Sequence, residues 1–173
     1  MTHNQHDIIK WQSPSNIALI KYWGKHGQQL PQNASLSMTL KNAFSETSLR
    51  YRHSPDDMEV QYFFEGERHQ SFEEKVIMFL ERLKNEMPFL SDYSFRFDSR
   101  NSFPHSTGIA SSASSMSAIA LCLLTMEEEV KGDKLNPVEF YERASHIARL
   151  GSGSAARSVI GGWATWGIIE GYK

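Results

Sequence analysis

Apolar and polar positions alternate in several short stretches of the chain and then give way to helical spacing. Ile8 to Gln12 reads as a short strand, and Ser13-Pro14-Ser15-Asn16 as turn punctuation after it. Ile17 to Trp23 is apolar enough for a buried strand that stops at Gly24. Leu36-Ser37-Met38-Thr39-Leu40 has period two and predicts a half-buried strand. Thr47–Arg52 and Met58–Phe64 also alternate. With Pro55-Asp56-Asp57 between them they predict a hairpin, and Glu65-Gly66-Glu67 predicts a further tight turn. Val76, Phe79, Leu80 and Leu83 then fall on one face of a helix, with Ser71 as its cap and Pro88 as its stop. Tyr93, Phe95 and Phe97 alternate with Ser94, Arg96 and Asp98 in another strand whose rings belong to the core.

Residues 99–117 are rich in serine, yet from Ile109 onward small and apolar residues run into Ala118–Leu124. That run predicts a loop feeding a mostly buried helix rather than a linker. Glu127 to Lys134 reads as a charged connector, its three glutamates a solvated face. Asn136-Pro137 supplies a cap and a first-turn proline for a helix carrying Val138, Tyr141, Ala144, Ile147 and Ala148. Gly151-Ser152-Gly153-Ser154 interrupts it, and Trp163–Ile169 alternates as a last strand. Strands first, then strands mixed with helices, predict an α+β domain with a mixed sheet packed against helices.

The 173 residues suit one domain with its own core. A net charge of −2 gives no basic field for nucleic acid, and the best apolar run, Ala118 to Met126, is too short to cross a bilayer. Cys122 is the single cysteine, so the chain forms no internal disulfide and no cysteine-rich zinc site. The usage fits a cytoplasmic protein.

Three segments suit anions. In Pro104 to Ser114, a loop enters a helix through Gly108, Ala110, Ser111, Ser112 and Ser114, where free backbone N–H groups and hydroxyls can cradle phosphate. The alternative is close helix packing that needs small residues. In Gly151 to Ser158, alternating Gly and Ser lie beside Arg157. A helix break with a solvated arginine is the plainer reading of that segment alone. In Asn16 to Lys25, Lys21 and Lys25 flank Tyr22 and Trp23. Three such segments in one chain point together to a phosphorylated substrate. The histidines show no metal spacing, and His105 among serines lacks a nucleophile elbow or an acidic partner.

Taken with Leu30 to Leu40, these segments resemble the diphosphomevalonate decarboxylase family of the GHMP kinase superfamily, in order and spacing from Trp11 to Trp166. The carrying runs are Lys21-Tyr22-Trp23-Gly24-Lys25 and Gly151-Ser152-Gly153-Ser154-Ala155-Ala156-Arg157-Ser158. The resemblance implies the GHMP-type N-terminal domain over residues 1–173, including an uncommon left-handed crossover. It implies ATP-dependent decarboxylation of mevalonate 5-diphosphate to isopentenyl diphosphate, with ATP and Mg²⁺. Nearby alternatives are a mevalonate 5-phosphate decarboxylase, a related small-molecule kinase, or a ligand-binding fragment without turnover. Gly108, Ala110, Ser111, Ser112 and Ser114 resemble the ATP loop, with Ser111 or Ser112 near Mg²⁺. Tyr22, Lys25, Ser152, Gly153 and Ser154 resemble the grip on the substrate diphosphate. Arg157 with Asn16 resembles the carboxylate site, and Lys21 the lysine assisting phosphoryl transfer. His105-Ser106-Thr107, Ser115 and Ala156 depart from the family pattern. The family's C-terminal half, with its catalytic aspartate, has no counterpart here, so turnover by this chain is not expected. The intact family resembles a homodimer, and the exposed face left by a missing half predicts self-association.

Overall fold

The computed structural model describes residues 8–55, 57–104 and 111–168. In chain order the elements are β1 (Ile9–Ile20), β2 (Lys25–His26), β3 (Leu30–Pro31), β4 (Ser35–His53), β5 (Val60–Phe64), β6 (Glu67–Arg68), α1 (Gln70–Leu83), β7 (Tyr93–Asn101), α2 (Ser111–Lys131), α3 (Pro137–Gly151) and β8 (Trp163–Trp166). Short 3-10 segments cover Pro88–Asp92 and Gly153–Ser158. The main sheet runs β1-β4-β7-β5-β6, and β8 pairs with the first residues of β4. It is mixed, since β5 and β7 are parallel through the α1 crossover while the other pairs are antiparallel. The architecture is therefore the expected α+β one.

One face of the sheet carries the core. Ile9, Leu49, Phe97 and Tyr62 sit opposite one another across β1, β4, β7 and β5, and all are buried. The apolar stripe of α1 (Val76, Phe79, Leu80, Leu83) and nearly the whole circumference of α2 from Ala113 to Leu124 close over that row. Burying a helix on all sides needs side chains without charge, and this stretch has none. α3 starts where Asn136 and Glu139 form a reciprocal capping box.

Several local expectations change in the folded chain. β4 and β5 are not a hairpin, because β7 lies between them. Alternation marks strands but does not choose their partners. Glu65 and Gly66, with φ of 51° and 86°, instead turn β5 into β6, both residues in the left-handed region that a two-residue hairpin turn requires. Ser13-Pro14-Ser15-Asn16 is no break but a bulge inside β1. His69, not Ser71, caps α1 through its ring nitrogen. α2 continues through Glu127, which is buried between Lys131 and Arg143 at 2.6 and 2.7 Å rather than solvated.

The largest correction concerns the outer ends of β1 and β4. Ser35 and Ser37 are buried while Met38 is exposed, so the alternation is real but the polar residues face inward. Ile17, Met38 and Trp163 form a row across β1, β4 and β8 on the opposite face, 44%, 36% and 64% exposed. Ile17–Trp23 is thus not a buried strand.

Glu46 offers a stability test. Burial pushes its carboxyl up, but hydrogen bonds from Gln12, Lys10 and Arg100 outweigh this and hold it at about 2. A depressed carboxylate contributes stability above its unfolded pKa and loses it as pH falls through the folded value. We expect wild type to lose stability as pH drops from about 4.5 towards 2, with Glu46→Gln showing a shallower slope there. Denaturant melts across that pH range check it; parallel slopes would contradict it.

Candidate active site

The inward polarity of β1 and β4 is explained by what they face. The 3-10 segment Gly153–Ser158 packs against them. Asn16 Nδ2 donates to Ser158 Oγ at 2.6 Å and Ser13 Oγ donates to the Ser158 carbonyl, while Ser35 accepts from the Arg157 guanidinium. Arg157 is 4% exposed. Its guanidinium carbon lies 5.5 Å from the centre of the Trp166 ring and 5.9 Å from that of Tyr22, and those two rings meet edge to face. Among the described residues Arg157 has no carboxylate partner, and both its Nε and the Trp166 Nε1 are buried without an acceptor. Burial disfavours the charged guanidinium and lowers its pKa. A buried cation with unspent donors is costly unless an anion meets it. This is not a solvated arginine at a helix break.

The loop between β1 and β4 forms the rim. Asn33 accepts from the Trp23 backbone N–H at 2.7 Å and donates to the Lys21 carbonyl at 3.1 Å, which fixes the Lys-Tyr-Trp-Gly run. Lys25 Nζ lies over the Tyr22 ring at 5.8 Å and donates to Gln29. Ser152 and Ser154 approach within 3.5 Å. Asn16, Tyr22, Lys25, Gly153, Ser154 and Arg157 are thereby brought together. Lys21 joins only through its backbone; its side chain is exposed.

The third segment lies along a groove from this cluster. Gly108 and Ala110 fall outside the described residues. α2 begins at Ser111, which is half-buried, and Ser112 is exposed. Ser114, by contrast, is fully buried and its hydroxyl is engaged by Ser45 and the Ser111 carbonyl, so it lies in the floor and not at the ligand surface. One groove of about 220 Å³ is lined by Ser112 on one side and Gly151 and Ser152 on the other, with Lys75 and Arg82 of α1 along it. A second pocket of about 150 Å³ shares Phe72, Lys75 and Ser112 with it and extends to Phe64, His69 and Asn101. Two of the three anion-suited segments therefore face each other across continuous space. The sequence reading missed Ser35, Trp166, Asn33, Lys75 and Asn101. Asn33 and Ser35 lie inside the Leu30–Leu40 run; the other three carry no local signal.

The arginines of the other sheet face have partners: Arg50 and Arg96 meet Asp98 at 2.6 and 2.9 Å. Among the described residues no three His, Cys, Asp or Glu side chains cluster to hold a metal, and no helix is long and apolar enough to cross a membrane.

This arrangement has close parallels. Residues 13–170 match the diphosphomevalonate decarboxylase-like N-terminal domain. Diphosphomevalonate decarboxylase of Saccharomyces cerevisiae is 32% identical over 166 residues, covering 89% of this chain and 40% of that protein. Mevalonate diphosphate decarboxylase from Staphylococcus aureus superposes with a TM-score of 0.77 at 32% identity, covering 98% of this chain and 48% of the other. The Enterococcus faecalis enzyme, described for mevalonate diphosphate-mediated ATP binding, gives 0.75 at 33%, covering 92% and 47%. A related structure contains MVAPP, AMPPCP and magnesium, with a TM-score of 0.75, 33% identity and coverage of 92% and 46%. The chain spans about two fifths of the length of the curated relatives it matches. A match over most of the chain, with the site segments in place, shows that it belongs to the diphosphomevalonate decarboxylase-like family and carries that family's N-terminal domain.

Proposed function

We propose that this chain is the ligand-binding half of an ATP-dependent decarboxylase that converts mevalonate 5-diphosphate to isopentenyl diphosphate. The observation that supports this most is the buried, carboxylate-free Arg157 beside the unspent Trp166 N–H. Arg157 binds the substrate carboxylate, with Asn16 holding the 3-10 segment that presents it. Tyr22, Lys25, Ser152 and Ser154 bind the diphosphate at the rim. Lys21, exposed on that rim, is free to move its ammonium towards the phosphoryl group being transferred. The first turn of α2 directs its N–H groups and helix dipole at the nucleotide phosphates, and the pocket of Phe64, His69, Phe72 and Asn101 takes the base.

ATP supplies the phosphoryl group that turns the tertiary hydroxyl into a leaving group, and Mg²⁺ neutralises phosphate oxygens. The residues fit such an ion: Ser111 or Ser112 would hold it through one hydroxyl oxygen, with phosphates and water as its other ligands. The protein's task is to hold two polyanions in line and shield their charge.

Neither groove nor pocket is lined by an aspartate or glutamate among the described residues. Asp98 is spent on arginines on the other sheet face. Among the described residues no carboxylate stands ready to take the hydroxyl proton, and on this reading the 173-residue chain binds without turnover. Calorimetry with mevalonate 5-diphosphate, followed by a magnesium–AMPPCP titration, should show both ligands bound, while carboxyl-labelled substrate releases no CO2. Failure to bind the diphosphate, or equal affinity for the 5-monophosphate, would refute the substrate assignment.

A second copy of the chain is the partner we propose for the Ile17–Met38–Trp163 row. Sedimentation over a concentration series should show dimers, which Met38→Lys weakens. A strictly monomeric profile would count against it.

A further inference from the structure

The turn between β2 and β3 follows Lys25 at the rim, and it does not hold itself. Each strand has 2 residues, and the pair stands apart from the main sheet. A hairpin that small is not stable alone. Gly27 and Gln29 both lie in the left-handed region, with φ of 50° and 63°, and at Gln29 a side chain makes that conformation costly. The support comes from the last turn of α3. Arg149 Nη1 donates to the Gln28 carbonyl, from 121 positions along the chain. Arg149 Nη2 donates to His146 Nδ1 at 3.1 Å, and His146 Nε2 donates to Glu86 at 3.0 Å. The neutral imidazole makes both bonds at once, accepting on one nitrogen and donating on the other. The guanidinium is thus clamped between His146 and the turn. The next residue carries the constraint forward: Gln29 Oε1 accepts from Lys25 Nζ at 2.7 Å. An ammonium has several N–H donors, so a bond to Gln29 fixes Lys25 and leaves others for phosphate oxygens.

We propose that Arg149 is a positioning residue for the substrate diphosphate: by holding the Gln28 carbonyl it sets Gln29, and Gln29 holds the Lys25 ammonium over the Tyr22 ring at the rim. The proposal rests on the reading of Lys25 as a diphosphate-binding residue. It gives the end of α3 a second task, since the same helix leads directly into Ser152 and Ser154. A cation that only complemented the C-terminal helix dipole would need neither the Gln28 carbonyl nor Lys25.

The test is a double-mutant cycle on the 173-residue chain, read by calorimetry with mevalonate 5-diphosphate. Lys25→Met should weaken binding by about tenfold. Arg149→Met should weaken it by about fivefold in the wild-type background and by less than about twofold in the Lys25→Met chain, because it acts through that lysine. Arg149→Lys keeps one charged donor for the Gln28 carbonyl and should recover part of the loss, with the far-ultraviolet circular dichroism of every variant unchanged. An equal loss in both backgrounds would mean that Arg149 meets the ligand itself or acts elsewhere, and would overturn the proposal. Unchanged affinity in Arg149→Met would overturn it too, as would misfolding of both Arg149 variants, which would make the arginine structural. Normal affinity in Lys25→Met would remove the diphosphate role of Lys25 and this proposal with it. Wild type that does not bind mevalonate 5-diphosphate would remove the substrate reading itself.

Discussion

Arg157→Met should weaken binding of mevalonate 5-diphosphate by about 100-fold or more and leave the melting temperature equal to or above that of wild type. The two effects have opposite signs because they come from one charge. Arg157 is 4% exposed, without a carboxylate partner among the described residues, so the unliganded fold bears the desolvation of its guanidinium. Its interactions with Tyr22, Trp166 and Ser35 offset only part of that cost. Methionine fills similar volume, packs on the same rings and needs no solvation. Two decades of affinity correspond to about 2.8 kcal/mol, within the range for a charge-assisted bidentate contact. Arg157→Lys should bind between the two, because an ammonium keeps the charge and loses the planar fork. Calorimetry and a thermal melt on the three proteins decide it. Normal affinity in Arg157→Met would dismiss the anion site. Collapse of its melting temperature would make the arginine structural.

Gly153→Ala is expected to destabilise the chain by about 2 kcal/mol and to weaken the same ligand. A methyl at Gly153 would lie 2.6 Å from the Trp166 ring and 3.2 Å from the Gln29 carbonyl. Trp166 is wedged in the inner face of β8 opposite Ser35, so it cannot swing away without uncovering Arg157. Gly151→Ala is the control. Its methyl would approach Met116 Cγ at 2.4 Å and the Phe79 ring at 3.2 Å, yet the nearer neighbour is a flexible thioether chain that can change rotamer. Gly151→Ala should therefore cost less stability than Gly153→Ala and spare binding more. Chemical denaturation of both variants tests the order; equal losses would show that contact distance alone, and not the stiffness of the neighbour, sets the cost.

Much of this protein was legible along the chain. The α1 stripe, the all-round apolar α2, the Asn136-Pro137 helix start and the alternating rings of β7 were visible because each depends on residues a few positions apart. The chemistry was legible for a similar reason. Small residues beside an arginine, or leading into a helix, mark places where backbone N–H groups can meet an anion, and the family resemblance fixed which anions to expect.

The pairing of strands was decided elsewhere. Thr47–Arg52 and Met58–Phe64 are near in sequence, yet β7 separates them, because the α1 crossover returns the chain to the space between β4 and β5. The inward side of a strand was likewise not a local property. Leu36 to Leu40 alternates as a half-buried strand should, but its serines point inward because Arg157 and the 3-10 segment pack on that side and need hydroxyl partners. Ser112 and Ser114 look alike in sequence; a step of two helix positions decides that the first lines the groove and the second is locked under it. The sequence by itself determined the elements and the kinds of chemistry, since periodicity and residue type act over one or two turns. Only the tertiary structure decided which face became the site, because burial is set by what arrives from more than a hundred residues away, as Arg157 does at Ser35.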